Sequence, residues 1–350
     1  MGNTSIDSRR AMAQAFLAAV LFGVATPFSK SLLSGLSTNL LAGLLYLGAA
    51  VLLFLPVLWQ SRGAALGFPR DRRNRLYLLG AIFFGGITGP VLLLVGLRYA
   101  QAASVSMWLN LETVATAVLA WAFFREHIGR WTWIGNAGVL LAGLLLGFDG
   151  GWAGAIGILC ILGTAISWGL DNNFTALIDS ISPMESTFWK GLVAGGVNLL
   201  IGLFFFSWQL SEKWLWALLL GGLSYGASIV LYISSAQSIG ATRSQMIFAS
   251  APFFGVAFSL ILLGEGLSTL QIIAALILMT SLRLILLDSH SHEHCHEELI
   301  HDHEHRHDDG HHEHPHESSH VGGLHSHPHR HITVQHSHEH WPDLHHRHEH

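Results

Sequence analysis

A stretch of membrane length, AASVSMWLNLETVATAVLAWAFFREH from Ala102 to His127, carries one carboxylate, Glu112, at its centre. About 20 apolar residues cross ~30 Å of hydrocarbon at 1.5 Å per residue, so such a run commits a chain to lipid. It occurs twice. Further along the chain, the segment from Ala241 reads ATRSQMIFASAPFFGVAFSLILLGEG, and laying it on the first sets Ala102 on Ala241, Glu126 on Glu265 and Thr113 on Pro252. Each copy is followed by another apolar span, Trp131 to Phe148 and Ser268 to Leu287, and preceded by three more. The chain therefore reads as a duplicated five-helix unit.

Composition agrees. Charged residues make up 12% of the chain and hydrophobic residues 51%, against roughly 25% charged in an ordinary soluble domain. At Asp288 the character changes: from there to His350 the chain holds every histidine except His127. Residues 1–287 carry a formal charge of +5 and the tail −10, so the overall −5 describes neither part.

Residues 1–11 are polar, and the apolar run from Met12 to Leu33 exceeds the ~7–15 residues of a signal-peptide core. Its removal would also destroy the match between the halves, so it is kept as the first span. The others are Thr38 to Trp59, Leu76 to Leu97, Ala102 to Phe124 and Trp131 to Phe148, then Gly154 to Ile178, Met184 to Ser207, Trp214 to Ser235, Arg243 to Leu263 and Ser268 to Leu287. The predicted fold class is all-α integral membrane: ten transmembrane helices in two repeats, residues 12–148 and 154–287, followed by a disordered His-rich tail over residues 288–350. Cytoplasmic loops retain positive charge. With the N-terminus inside, Arg9, Arg10, Arg62, Arg70, Arg72, Arg73, Arg75, Arg125, Arg130, Arg243 and Arg283 fall on the cytoplasmic side, and only Lys30, Arg98 and Lys213 outside. Both termini are then cytoplasmic, and an odd number of helices per half inverts the second repeat, as in many secondary transporters. Gly85/Gly89, Gly143/Gly147, Gly191/Gly195 and Gly222/Gly226 have the four-residue spacing of close helix packing.

These paired repeats, each closing with an apolar helix, a glutamate (Arg125 to His127, Gly264 to Gly266) and a final helix, resemble EamA domains of the drug/metabolite transporter superfamily. The second copy matches better, through Ala241, Thr242, Pro252, Gly264, Glu265 and Gln271. The first departs, with Glu112 and Thr113 where a proline is expected and Arg125 in place of the glycine. The resemblance covers residues 12–287. It implies ten helices, cytoplasmic termini and a plasma (inner) membrane carrier of small metabolites, often an exporter, and it implies no particular solute.

An ionised group deep inside a span costs several kcal/mol unless paired or hydrated. Glu112 is therefore the first candidate for a proton relay or solute ligand, against a purely structural carboxylate. Ser104, Trp108 and Thr116 stand at four-residue steps from it and on a continuous helix would share its face. Asp171, Asn172 and Trp168 form a second polar group in the sixth span, and Lys190 lies at the depth of Asp171, so the two can pair as a structural bridge or a solute clamp.

The tail alternates histidine with acids, and neutral imidazole ligates Ni, Co and Zn. Its candidate ligands include His290, His292, His294, Cys295, His296, His301, His303, His305, His307, His311, His312, His314 and His316. With almost nothing apolar to bury, it is expected to be disordered without metal. No nucleotide loop, nucleophile elbow or H-E-x-x-H interrupts the spans, so no catalytic residue, required cofactor or nucleic-acid partner is expected. Expected partners are the lipid bilayer, a small-molecule solute and divalent ions, and a homodimer is compatible. Three functions remain open: a metabolite exporter with a metal-binding tail, a divalent-metal exporter whose tail collects the ion, and a membrane-anchored metal buffer or sensor that transports nothing.

Overall fold

The computed structural model describes residues 3–60, 67–124, 128–149, 151–178, 180–239, 244 and 247–286, and in the tail 290–296, 299–305, 325–331 and 334–340. The chain divides into two units, residues 1–288 and 289–350.

Among its described residues the first unit contains helices and no strand. They are α1 (Asn3–Gly23), α2 (Ala25–Leu32), α3 (Thr38–Gln60), α4 (Arg72–Ala81), a π-helical segment (Ile82–Thr88), α5 (Gly89–Tyr99), α6 (Ala102–Trp108), α7 (Leu111–Phe124) and α8 (Arg130–Asp149). The second half contributes α9 (Gly151–Ala176), α10 (Pro183–Phe205), α11 (Lys213–Gly221), a π-helical segment (Gly222–Ala227), α12 (Ser228–Ile239), α13 (Ala251–Leu263) and α14 (Thr269–Leu286). Among the described residues, seven helical stretches are long and apolar enough to cross a membrane: Arg9–Leu32, Thr38–Trp59, Arg72–Tyr99, Ala102–Phe123, Gly151–Ala176, Pro183–Phe205 and Lys213–Ser235. Shorter apolar helices cover Ala251–Leu263 and Thr269–Ile285.

Several spans are broken, each for a local reason. Pro27 lacks the N–H that would reach Gly23, and α1 gives way to α2 at Val24. In the third span Gly89 N–H reaches back to Phe84 O, a π bond, and Pro90 has no N–H to offer Gly86. The carbonyls of Gly85 and Gly86 are thereby freed. The second π segment stands at the equivalent place in the second repeat and closes in the same way, with Ser228 N–H on Leu223 O. Turns at Leu109 and Asn110, between α6 and α7, and at Ala249 and Ser250, just before α13, stand within one position of each other when the repeats are aligned. The duplication is thus present in the irregularities as well as in the apolar pattern.

Packing crosses between the halves. α3 lies against α10 and α8 against α14, joining equivalent helices. α1 packs on α12 while α5 packs on α9, and α7 on α9 is matched by α1 on α13, so most contacts reappear when the repeats are exchanged. The repeats form one body with a shared core. Backbones meet closely where glycine permits: a Cβ on Gly221 would overlap Leu45 O, one on Gly48 would overlap Leu218 O, and one on Gly195 would stand 2.7 Å from Leu47 N. At Gly143 and Gly147 the nearest atoms are 3.4 Å away, so close backbone approach explains the Gly191/Gly195 spacing and not Gly143/Gly147.

Among its described residues the tail unit holds four strands, β1 (His290–His296), β2 (Leu299–His305), β3 (His325–His331) and β4 (Val334–His340). β1 pairs with β4 and β2 with β3, both antiparallel. Histidine at every second position is itself a period-2 pattern suited to an extended chain.

Gly221→Leu is expected to separate α11 from α3 and lower stability by about 1–3 kcal/mol, read as a lower thermal midpoint of the detergent-solubilised protein. Gly143→Ala, with room for a methyl group, is expected to leave that midpoint within a degree or two.

Candidate functional site

Glu112 lies in the first turn of α7, just past the break in its span. Asn110 makes that break: its N–H and its side-chain Nδ2 both donate to Met107 O, at 3.2 and 3.0 Å. Thr113 N–H then reaches Asn110 O at 3.1 Å, the tighter i−3 pattern that ends one helix and starts another. The single face expected for Ser104, Trp108, Glu112 and Thr116 is consequently divided, because two turn residues rotate α7 out of phase with α6. Ser104 and Trp108 stay on α6, where Ser104 Oγ accepts from Gln271 Nε2 at 2.8 Å and Trp108 Nε1 donates to Gly143 O at 3.0 Å. Glu112 and Thr116 keep a common face on α7, and both accept from Asn172 Nδ2, at 2.8 and 3.2 Å.

The three polar residues of α9 diverge. Asn172 turns to α7. Asp171 turns to α10, where Lys190 Nζ donates to both of its carboxylate oxygens at 2.7 Å, and Thr175 Oγ1 adds a bond at 3.0 Å. Asn173 Nδ2 donates to Gly169 O at 2.7 Å and Thr116 O at 3.3 Å. Asp171 needs the π segment beside it, since a Cβ on Gly85 would overlap Asp171 Oδ2. The freed Gly85 carbonyl accepts from Tyr46 OH at 2.6 Å and from Trp168 Nε1 at 3.1 Å, and Gly86 O accepts from Asn198 Nδ2 at 3.1 Å.

Around this polar group stand aromatic rings from several spans. Tyr46 and Tyr225 have centroids 5.4 Å apart, Phe22 is 5.8 Å from Tyr225 and 6.5 Å from Trp168, and Phe248 is 5.5 Å from Phe22. Asp171 is buried, whereas Glu112 is half-buried and Asn172 is exposed. Glu112, held against α9 by Asn172, therefore remains an accessible carboxylate within the helical body.

A second polar group lies about two turns from Glu112 along the fourth span. Glu265 accepts Ala102 N–H and Ala103 N–H at 2.9 Å each, capping the start of α6 from the opposite repeat. Lys30 stands 3.6 Å from Glu265 and donates to Ala100 O. Gln271 Nε2 links Ser104 to Gln101 Oε1, the latter at 2.8 Å, and Arg98 bonds Thr38 Oγ1 and Leu36 O. Of these, Lys30, Arg98, Ala100, Gln101, Ser104 and Gln271 line a cavity of about 370 Å³ that also touches Trp108 and Gly154.

Residues 9–148 and 155–287 each match the EamA-like transporter family. The chain belongs to that family. Similar proteins include uncharacterized transporters of Methanothermobacter thermautotrophicus (26% identity, 75% of this chain and 82% of that one) and of Synechocystis (26%, 81% and 91%). The uncharacterized transporter YoaV of Bacillus subtilis is likewise 26% identical, over 68% of this chain and 84% of its own. A solved crystal structure covers 79% of this chain and 96% of its own at 16% identity with a TM-score of 0.59, a likeness of fold alone. This EamA chain is accordingly a multi-span membrane protein of a transporter family.

Sequence reasoning does not single out Tyr46, Tyr225 or Phe22. The tyrosines carry a signal, because the ring expected at a headgroup boundary lies instead in the middle of an apolar span in both cases. Glu265 reads only as part of a family motif, and its partners Ala102 and Ala103 belong to the other repeat. The tail ligands named above have side chains outside the described residues, and His307, His311, His312, His314 and His316 fall outside them entirely.

Removing one partner of a buried pair strands the other charge. Asp171→Asn and Lys190→Met are each expected to destabilise by on the order of 3 kcal/mol, and the exchange Asp171→Lys with Lys190→Asp to recover part of that loss in thermal unfolding. An exchange no better than the worse single variant would refute the pairing.

Proposed function

We propose that this EamA chain is a secondary transporter that moves a small metabolite or drug-like solute out of the cell across the plasma (inner) membrane. In this reading ten spans form two inverted repeats, with both termini in the cytoplasm. One observation carries the proposal: an accessible carboxylate, Glu112, lies inside the spans beside a helix break and is held at the repeat interface by Asn172. Inverted-repeat carriers bind their solutes at such interfaces, near interrupted helices, and an intramembrane acid that gains and loses a proton links solute movement to proton movement. The Lys30–Glu265–α6 contacts tie the repeats together about two turns away, beside the cavity lined by Lys30, Ser104 and Gln271.

The tail supports a second reading, divalent-metal export with residues 288–350 collecting the ion. Its donors are imidazoles and carboxylates, suited to Ni, Co and Zn, and its strand register sets histidine opposite histidine, as at His290 and His340 or His303 and His327.

Reconstituted in vesicles, Glu112→Gln is expected to lose transport and its pH dependence, because the amide keeps the shape and cannot titrate. Unchanged uptake with unchanged pH dependence would sink the proposal. Deletion of residues 288–350 is expected to abolish most Ni, Co or Zn binding in calorimetry at about pH 7.5, where imidazoles are neutral. Metal binding by the full chain is expected to weaken below about pH 6 as imidazoles protonate around pH 6.5. Under metabolite export the deletion spares solute flux, whereas under metal export it weakens flux at low metal.

A further inference from the structure

The charges around Glu112 define what the opening accepts. Asp171 and Lys190 neutralise each other at 2.7 Å, and among the described residues Glu112 has only a neutral partner, the Asn172 amide at 2.8 Å. Whenever Glu112 is ionised, the group as a whole therefore carries one uncompensated negative charge, in a setting where an unpaired ion is costly. The rings of Tyr46, Tyr225, Phe22 and Trp168 form a continuous wall beside it, and their π faces attract cations and apolar bodies alike. Three of the four come from spans other than those bearing Glu112 and Asn172, so the wall and the carboxylate are brought together only by the packing of both repeats.

We infer that the solute enters this site as a cation, with Glu112 as its counter-ion and the rings as its apolar wall, the chemistry of an organic ammonium. The inference rests on the transporter reading and deepens it to a solute class. An anionic solute would meet repulsion from Glu112, and a neutral one would leave the charge uncompensated. Among the described residues no three His, Cys, Asp or Glu side chains come together, so the carboxylate and the rings, rather than a cage of ligands, supply the recognition.

The test uses three probes of one shape and different charge: 2-phenylethylamine, 2-phenylethanol and 3-phenylpropionate. Binding to the full-length protein in detergent is read by isothermal titration calorimetry, and flux is measured separately in vesicles together with Ni²⁺. The amine is expected to bind about tenfold or more tightly than the other two, the scale of one desolvated cation–π contact. E112Q is expected to abolish that preference and E112D to keep it, while Y225L weakens the amine more than the alcohol. Y225L also serves if E112Q fails to fold, as judged by size-exclusion chromatography. Equal binding of the three probes, preference for the anion or no binding of the amine would overturn the inference. Ni²⁺ flux that requires Glu112 would keep the counter-ion and identify the cation as a metal. Amine binding without flux of any solute would leave this inference standing and refute transport, whereas flux of only neutral or anionic solutes would do the reverse.

Discussion

In hydrocarbon no water is present to receive a backbone N–H or C=O, so every break in a spanning helix must be satisfied from within the protein. This EamA chain breaks its helices in both repeats and satisfies the exposed groups largely with side chains from other spans, several of them in the opposite half. The Gly85 and Gly86 carbonyls are taken up by Tyr46, Trp168 and Asn198, and the first N–H groups of α6 by Glu265. Ser224 and Ser228, in and just after the second π segment, bond Leu21 O and Ala18 O on α1. The repeats cannot part without stranding these groups, each at a cost of several kcal/mol in an apolar medium. This explains why residues 1–288 form one body although the duplication divides them into two.

The same breaks create the site. A regular helix presents no free carbonyl, and its side chains advance by a fixed angle. The turn at Leu109 and Asn110 resets that angle, so Ser104 serves the Glu265 end of the fourth span and Glu112 serves the Asn172 end. Lys190 illustrates the matching restraint in charge: its bonds to both oxygens of Asp171 remove both ions from the balance and leave Glu112 as the group whose state sets the charge of the opening.

Much of this was legible in the sequence, and the boundary of legibility has physical causes. Apolar length and the internal duplication mark the membrane body because they depend on the residue pattern alone. Depth along the helix was enough to pair Asp171 with Lys190, since one ion at a given depth requires another. The break before Glu112 was hidden because neither Leu109 nor Asn110 is a recognised helix breaker in an apolar run; in the other repeat Pro252, at the start of α13, marks the corresponding break. Contacts of Glu265 with Ala102 and Ala103 reach from one repeat to the other, and no local pattern encodes them.

Gly85 links these levels. As a glycine in a π turn it exposes a carbonyl to Tyr46 and Trp168, and by lacking a Cβ it admits the Asp171 carboxylate that holds Lys190. One position therefore fixes an aromatic wall through its oxygen and an ion pair through its empty side. A π turn can revert to α-helix by shifting a single residue, which would withdraw that carbonyl into the helix. Tyr46 and Trp168 would then lose a shared acceptor while the backbone moved against Asp171. The wall and the ion pair have to move together, so any change in the shape of the opening that passes through the third span reaches both sides of the site at once.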